Sequence, residues 1–231
     1  MTAILCRQGV RTILGLAAAA RTSGCNGPPP RAAAPGAGAL PARAESSEPE
    51  LSFPSIVGVV DVTTTGKAPT TGGVVFLEDA PKQAGAATTA SINVDHKEFV
   101  PFISVITTGG SATFGNKDAL THHVFSPDIP KLDTGYIHQN ETVARTFDSP
   151  AVVPLLCNIH PEMLGYLLVI PSTYFSKLGP SGEYAIAGVP PGTYRVTAWS
   201  PRLPTATKTA AVASTGVVTV NFDLPAAAPA N

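Results

Sequence analysis

Residues 151–170, AVVPLLCNIHPEMLGYLLVI, set two apolar, strand-like runs on either side of a short polar loop that carries Cys157, His160 and Met163. A thiolate, an imidazole and a thioether are three of the donors of a mononuclear type 1 copper site, which takes a second imidazole from elsewhere in the fold. His122 offers one. Soft sulfur suits copper in both oxidation states, imidazole suits Cu(I) and Cu(II), and a weak axial methionine tunes the potential without dictating one geometry. Zinc is the competing ion, but methionine is a poor zinc ligand and structural zinc sites use several thiolates, where this loop has one.

Outward from that loop the chain reads as all-β. Its 21 glycines and 23 prolines punctuate short alternating or apolar runs: VGVVDV at 57–62, GVVFLED at 73–79, TVARTF at 142–147, TYRVTAW at 193–199 and VVTVNFDL at 217–224. Valine, isoleucine, threonine, tyrosine and phenylalanine suit strands, Ser181-Gly182 and Pro190-Pro191-Gly192 suit turns, and no long helical stripe competes. The length fits two small sandwiches of about 80 to 100 residues each.

The segment from Ser91 to Pro171 resembles the cupredoxin family, the plastocyanin- and azurin-like blue copper proteins. The resemblance is carried by FVPFISVITTGGSATFGNKDALTHHVFS at 99–126, with a first histidine ahead of V-x-F, and by CNIHPEMLGYLLVI at 157–170. It implies a Greek-key β-sandwich over 81–172 in which His122, Cys157, His160 and Met163 hold one type 1 copper ion. It also implies an electron path through the edge of His160, with Pro161, Leu164 and Gly165 as an apolar patch around it. Two departures are present: His123 stands where plastocyanins have asparagine, and the interval from His160 to Met163 is shorter than theirs.

The flanks resemble the two ends of a carboxypeptidase regulatory-like, Ig-like β-sandwich. Gly58 to Glu78 looks like its first part and Ser181 to Leu224 its second, and GKAPTTGGVVFLEDAPKQAG at 66–85 and SGEYAIAGVPPGTYRVTAWSPR at 181–202 flank the copper-loop motifs. The whole arrangement is similar to a bacterial periplasmic group labelled methylamine utilization protein, a label of gene context and not of chemistry. The expected organisation is one sandwich in two parts, 54–80 and 173–225, with the cupredoxin inserted; a tandem arrangement is the alternative.

The amino terminus reads as a processing signal over 1–25. MTAILCRQGVR is basic without acids, TILGLAAAA is too short to span a bilayer, and RTSGC follows. Thr22 to Cys25 has a lipobox-like form, so lipidation of Cys25 and ordinary cleavage near the alanines both stand. Either places the chain in the periplasm or elsewhere outside the cytoplasm, with membrane contact only through a lipid at Cys25. Residues 26–50, NGPPPRAAAPGAGALPARAESSEPE, lack aromatic residues and read as a disordered Pro/Ala-rich linker. Of the three cysteines, Cys6 and Cys25 belong to this export region, which leaves Cys157 as the lone thiol of the fold. In an oxidising compartment that favours a buried or metal-bound role.

Charge excludes more than it assigns. Fifteen basic residues face sixteen acidic ones, and without Arg7, Arg11 and Arg21 the balance is 12 to 16. No nucleic-acid footprint or polybasic membrane patch is present. Five histidines are too few for a trinuclear copper centre, so an enzyme is not expected. The expected function is one-electron transfer with a redox protein partner such as a cytochrome or an oxidoreductase. The alternatives are a periplasmic copper-holding or delivery protein and a structural or carbohydrate-contacting module. Beside the site, His123 reads as a supporting or surface imidazole facing away from His122, and Glu162 as solvent-exposed. Trp199, Tyr184 and Tyr194 read as packing residues, and His96 and His138 lack metal-ligand spacing.

Overall fold

The structure is a computed structural model, and it describes residues 54–62, 67, 69–81, 87–127 and 131–225. The segment 1–25 read as an export signal, with Cys25, and the segment 26–50 read as a linker lie outside the described residues. Every described residue with regular secondary structure is β, and among them no helix is long and apolar enough to cross a membrane.

The chain enters through β1 (Ser55–Val62) and β2 (Val74–Leu77). It then builds nine consecutive strands: β3 (Thr89–Asp95), β4 (Glu98–Val100), β5 (Ile103–Thr107), β6 (Gly110–Asn116), β7 (His122–Ser126), β8 (Leu132–Ile137), β9 (Thr142–Phe147), β10 (Ala151–Cys157) and β11 (Leu164–Ile170). These form two sheets, ordered β5-β11-β10-β7-β8 and β4-β3-β6-β9. Period-two burial on both faces one another: Val153, Leu155 and Cys157 point inward from β10, His122 and Val124 from β7, and Ile92, Val94, Ala112 and Phe114 from the opposing sheet. Proline is rare inside a central strand because it cannot donate to the ladder. Pro154 is tolerated because β7 pairs with β10 only at Leu156 and Cys157.

The chain then returns to its first two strands. β12 (Phe175–Lys177) pairs with β2, β13 (Glu183–Ala187) pairs with β1, and β14 (Gly192–Trp199) lies between β2 and β15 (Ala206–Val212). β16 (Val217–Thr219) and β17 (Phe222–Leu224) both run parallel to β1. The core between these sheets holds Ile56, Val60, Leu77, Tyr184, Ile186, Val196 and Phe222 and is separate from the one that contains Cys157.

Gly58 sits where β1 passes beneath the link between β16 and β17, and Val220 N–H donates to the Val57 carbonyl 2.8 Å away. A methyl group on Gly58 would collide with the Val220 carbonyl and meet the Tyr184 ring at 2.9 Å. Gly58→Ala is therefore expected to lower unfolding free energy by about 3 kcal/mol, checked by the shift of the urea midpoint at constant slope.

The two sandwiches meet through their outer faces. Val74 and Trp199 of one pack with Ile103, Leu168 and Ile170 of the other, and the Tyr166 and Trp199 rings stand edge to face at 5.3 Å. Lys177 reaches across and donates to the Ile103 carbonyl at 2.7 Å; burial holds its ammonium below the ordinary lysine range. Trp199, read from sequence as a packing residue, does pack, but at this junction and not inside either sandwich.

Candidate metal centre

Strand alternation and one tight turn bring the donors together. β7 turns His122 into the interior, where it is 0% exposed, and sends the His123 ring to the opposite face. Cys157 ends β10 on the inward face, 3% exposed. The amide of Asn158 donates to the His123 carbonyl at 3.0 Å, so the loop leaves β10 still attached to β7. Met163 N–H then donates to the His160 carbonyl at 3.1 Å, which closes the turn and buries Met163 in the same core cluster as Cys157.

Three donor atoms result, all within 4.8 Å of one another. Cys157 Sγ lies 3.7 Å from His122 Nδ1 and 3.7 Å from His160 Nδ1, and the two nitrogens are 3.2 Å apart. A triangle with those sides has a point about 2.1 Å from every corner, close to the usual metal–nitrogen bond of about 2.0–2.1 Å and metal–sulfur bond of about 2.3 Å. Two imidazoles and one thiolate around such a point, with a buried thioether on the same loop, are compatible with copper. Cys157 is free, as a ligand thiol must be.

Electrostatics favour a neutral His122. Burial pushes its imidazolium down, the hydrogen bond to Asp118 pushes it up, and His160 pushes it down again; the balance lies below the ordinary histidine value. Its lone pair is then available to a metal at neutral pH. Asp118 Oδ2 is 3.0 Å from His122 Nε2. Burial raises this carboxyl, but hydrogen bonds from Lys97, His96 and His122 together outweigh it and hold the group below the usual carboxylate range.

Asp118 escaped the sequence reading. Its one sequence signal is the spacing D-x-x-x-H, Asp118 to His122, which is uninformative without the fold. The loop that carries it is shaped by Asn116, whose side-chain amide donates to the Leu120 and Ile137 carbonyls at 2.7 and 2.9 Å, while its Oδ1 accepts from Asp118 N–H at 2.9 Å.

The other sequence candidates stay out of the triangle. His123 holds Asp133 through Nε2 at 2.7 Å and stands edge-on to Tyr136. Glu162 is exposed, as are His96 and His138. Half-buried His160 is flanked in the chain by Ile159, exposed at 42%, and by exposed Pro161. Gly165, expected in an apolar patch around it, is instead buried with its α-carbon face against the Phe99 ring, and Leu164 is only partly exposed.

No protein-family model matches the sequence, and no curated protein matches it at a significant level. Parts of the chain are similar to solved structures. A copper-containing nitrite reductase from Thermus scotoductus SA-01 is 22% identical over 35% of this chain and 22% of its own, with a TM-score of 0.34. A purple cupredoxin from Nitrosopumilus maritimus is 19% identical over 35% of this chain and 98% of its own, with a TM-score of 0.32. An oxidized mutant of amicyanin is 16% identical over 41% of this chain and 97% of its own, with a TM-score of 0.33. At these values the likeness carries no argument, and the reading of the site rests on its donor atoms.

Proposed function

We propose that the protein is a cupredoxin-type electron carrier, exported from the cytoplasm, with one type 1 copper ion held by His122, Cys157, His160 and Met163. The observation that carries this is the triangle of two Nδ1 atoms and one Sγ, with sides of 3.2, 3.7 and 3.7 Å. When bound, copper supplies a one-electron couple between Cu(II) and Cu(I). The protein's part is to hold the donors still: His122 and Cys157 end buried strands, and the His160–Met163 turn is pinned by its own hydrogen bond. A donor set that moves little between oxidation states suits rapid electron exchange.

His160 carries the path to a partner. It is the one partly exposed member of the donor triangle, and its chain neighbours Ile159 and Pro161 are exposed. A small apolar patch of this kind suits brief encounters with a redox protein such as a cytochrome or an oxidoreductase, because weak electron-transfer contacts bury little area. The protein is read as a carrier and not an enzyme.

Titration of the purified protein with Cu(II) tests the reading. Saturation at one equivalent, with an intense visible thiolate-to-copper band, narrow copper hyperfine splitting and reversible bleaching by reductant, is the expected result. A colourless protein that takes up Cu(I) would replace electron transfer with copper holding or delivery, and no stoichiometric uptake in either state would defeat both.

A further inference from the structure

The contact behind His122 is more elaborate than one hydrogen bond. β3 and β4 are joined by the two residues His96 and Lys97, with φ of +52° and +60°. Two successive left-handed residues make the tight hairpin turn that normally selects asparagine and glycine. Here neither residue is of that kind, and the conformation directs consecutive amides at one carboxylate: His96 N–H donates to Asp118 Oδ1 at 2.7 Å and Lys97 N–H to Asp118 Oδ2 at 2.9 Å. The same Oδ2 meets His122 Nε2 at 3.0 Å.

Resting on the copper reading above, we infer that Asp118 is the positioning residue of the metal centre. Clamped by the β3–β4 turn, its carboxylate keeps the Nε2–H tautomer of His122 with Nδ1 facing the donor triangle, and its negative charge favours Cu(II) over Cu(I).

Donor counting explains why the residue is an acid. Three N–H groups converge on two oxygens, and an ionised carboxylate accepts all of them while donating nothing. An asparagine has one acceptor oxygen and one NH2. With the NH2 towards His96 it opposes that amide's N–H; with the NH2 towards Lys97 and His122 it offers a proton to Nε2 and stabilises the tautomer in which Nδ1 is protonated and cannot ligate. A hydrogen-bonded carboxylate also raises the basicity of a metal-bound imidazole, and loss of such partners commonly changes metal affinity by about 10- to 100-fold.

The test combines a measurement on the metal-free protein with one on the copper form. In metal-free wild type, nitrogen NMR of His122 is expected to show the Nε2–H tautomer; an Nδ1–H tautomer overturns the inference without any variant. Asp118→Asn is expected to shift the Cu(I)-to-Cu(II) affinity ratio about tenfold towards Cu(I), which for a one-electron couple is a rise of about 59 mV. Asp118→Glu, which keeps the charge, is expected to recover part of that shift. An Asp118→Asn protein with wild-type potential and wild-type His122 tautomer overturns the inference while leaving the copper reading intact. A wild type that takes up no copper defeats the copper reading instead, and the tautomer still decides the positioning role.

Discussion

Cys157→Ala is expected to abolish the intense visible band altogether while leaving the protein folded. In the proposed donor set of His122, Cys157, His160 and Met163 the thiolate is the one charged sulfur, and both imidazole nitrogens sit 3.7 Å from Cys157 Sγ. Without it two neutral imidazoles and a thioether remain, a set with no thiolate-to-copper transition and weak hold on Cu(I). The replaced side chain is small, so the packing loss in the core is on the order of 1 kcal/mol. A metal-stabilisation measurement separates the two effects. A ligand present at about a thousand times its dissociation constant adds about 4 kcal/mol to folding, so copper should raise the melting temperature of wild type markedly and that of Cys157→Ala little. A variant that keeps both the band and the copper-dependent melting shift would remove Cys157 from the site.

Phe222→Ala is expected to be the most destabilising single truncation outside the metal domain, costing about 3–5 kcal/mol. Phe222 is fully buried in β17, tilts against Tyr184 with ring centroids 6.4 Å apart, and carries the Lys208 ammonium over its face at 5.5 Å. Its core shares no residue with the cluster that contains Cys157 and Met163. The variant should therefore show a lowered denaturation midpoint together with an unchanged copper band per folded molecule at room temperature. A band that weakens in step with the truncation would mean that the two cores are not independent supports.

Much of the strand pattern was legible because alternation is a local property. TVARTF coincides with β9, and VGVVDV and TYRVTAW fall inside β1 and β14. VVTVNFDL reads as one run but forms two strands, because Val220 turns its amide to the Val57 carbonyl and β1 takes β16 and β17 as successive partners. Residue type and close spacing also brought Cys157 and His160 forward, and the structure groups them with His122, while period two separated His122 from His123; Met163 is shown buried in the same core cluster as Cys157. Asp118 was not legible, since its role exists only when a turn more than twenty residues upstream closes over it. The junction between sandwiches was hidden for a related reason. Tyr166, Trp199 and Ile103 alternate as any half-buried strand residues do, and nothing local marks their outward faces as facing each other.

The parallel pairing of β1 with β17 has a mechanical meaning. Val60 lies opposite Phe222 and Val62 opposite Leu224, so opposed tension on residues 54 and 225 pulls the two strands lengthwise past each other. Their hydrogen bonds then share the load in shear and do not open one at a time. β3 to β11 branch off between β2 and β12 and lie outside that load path. A stretched chain would strain the host sandwich first, while the donors around Cys157 stay slack.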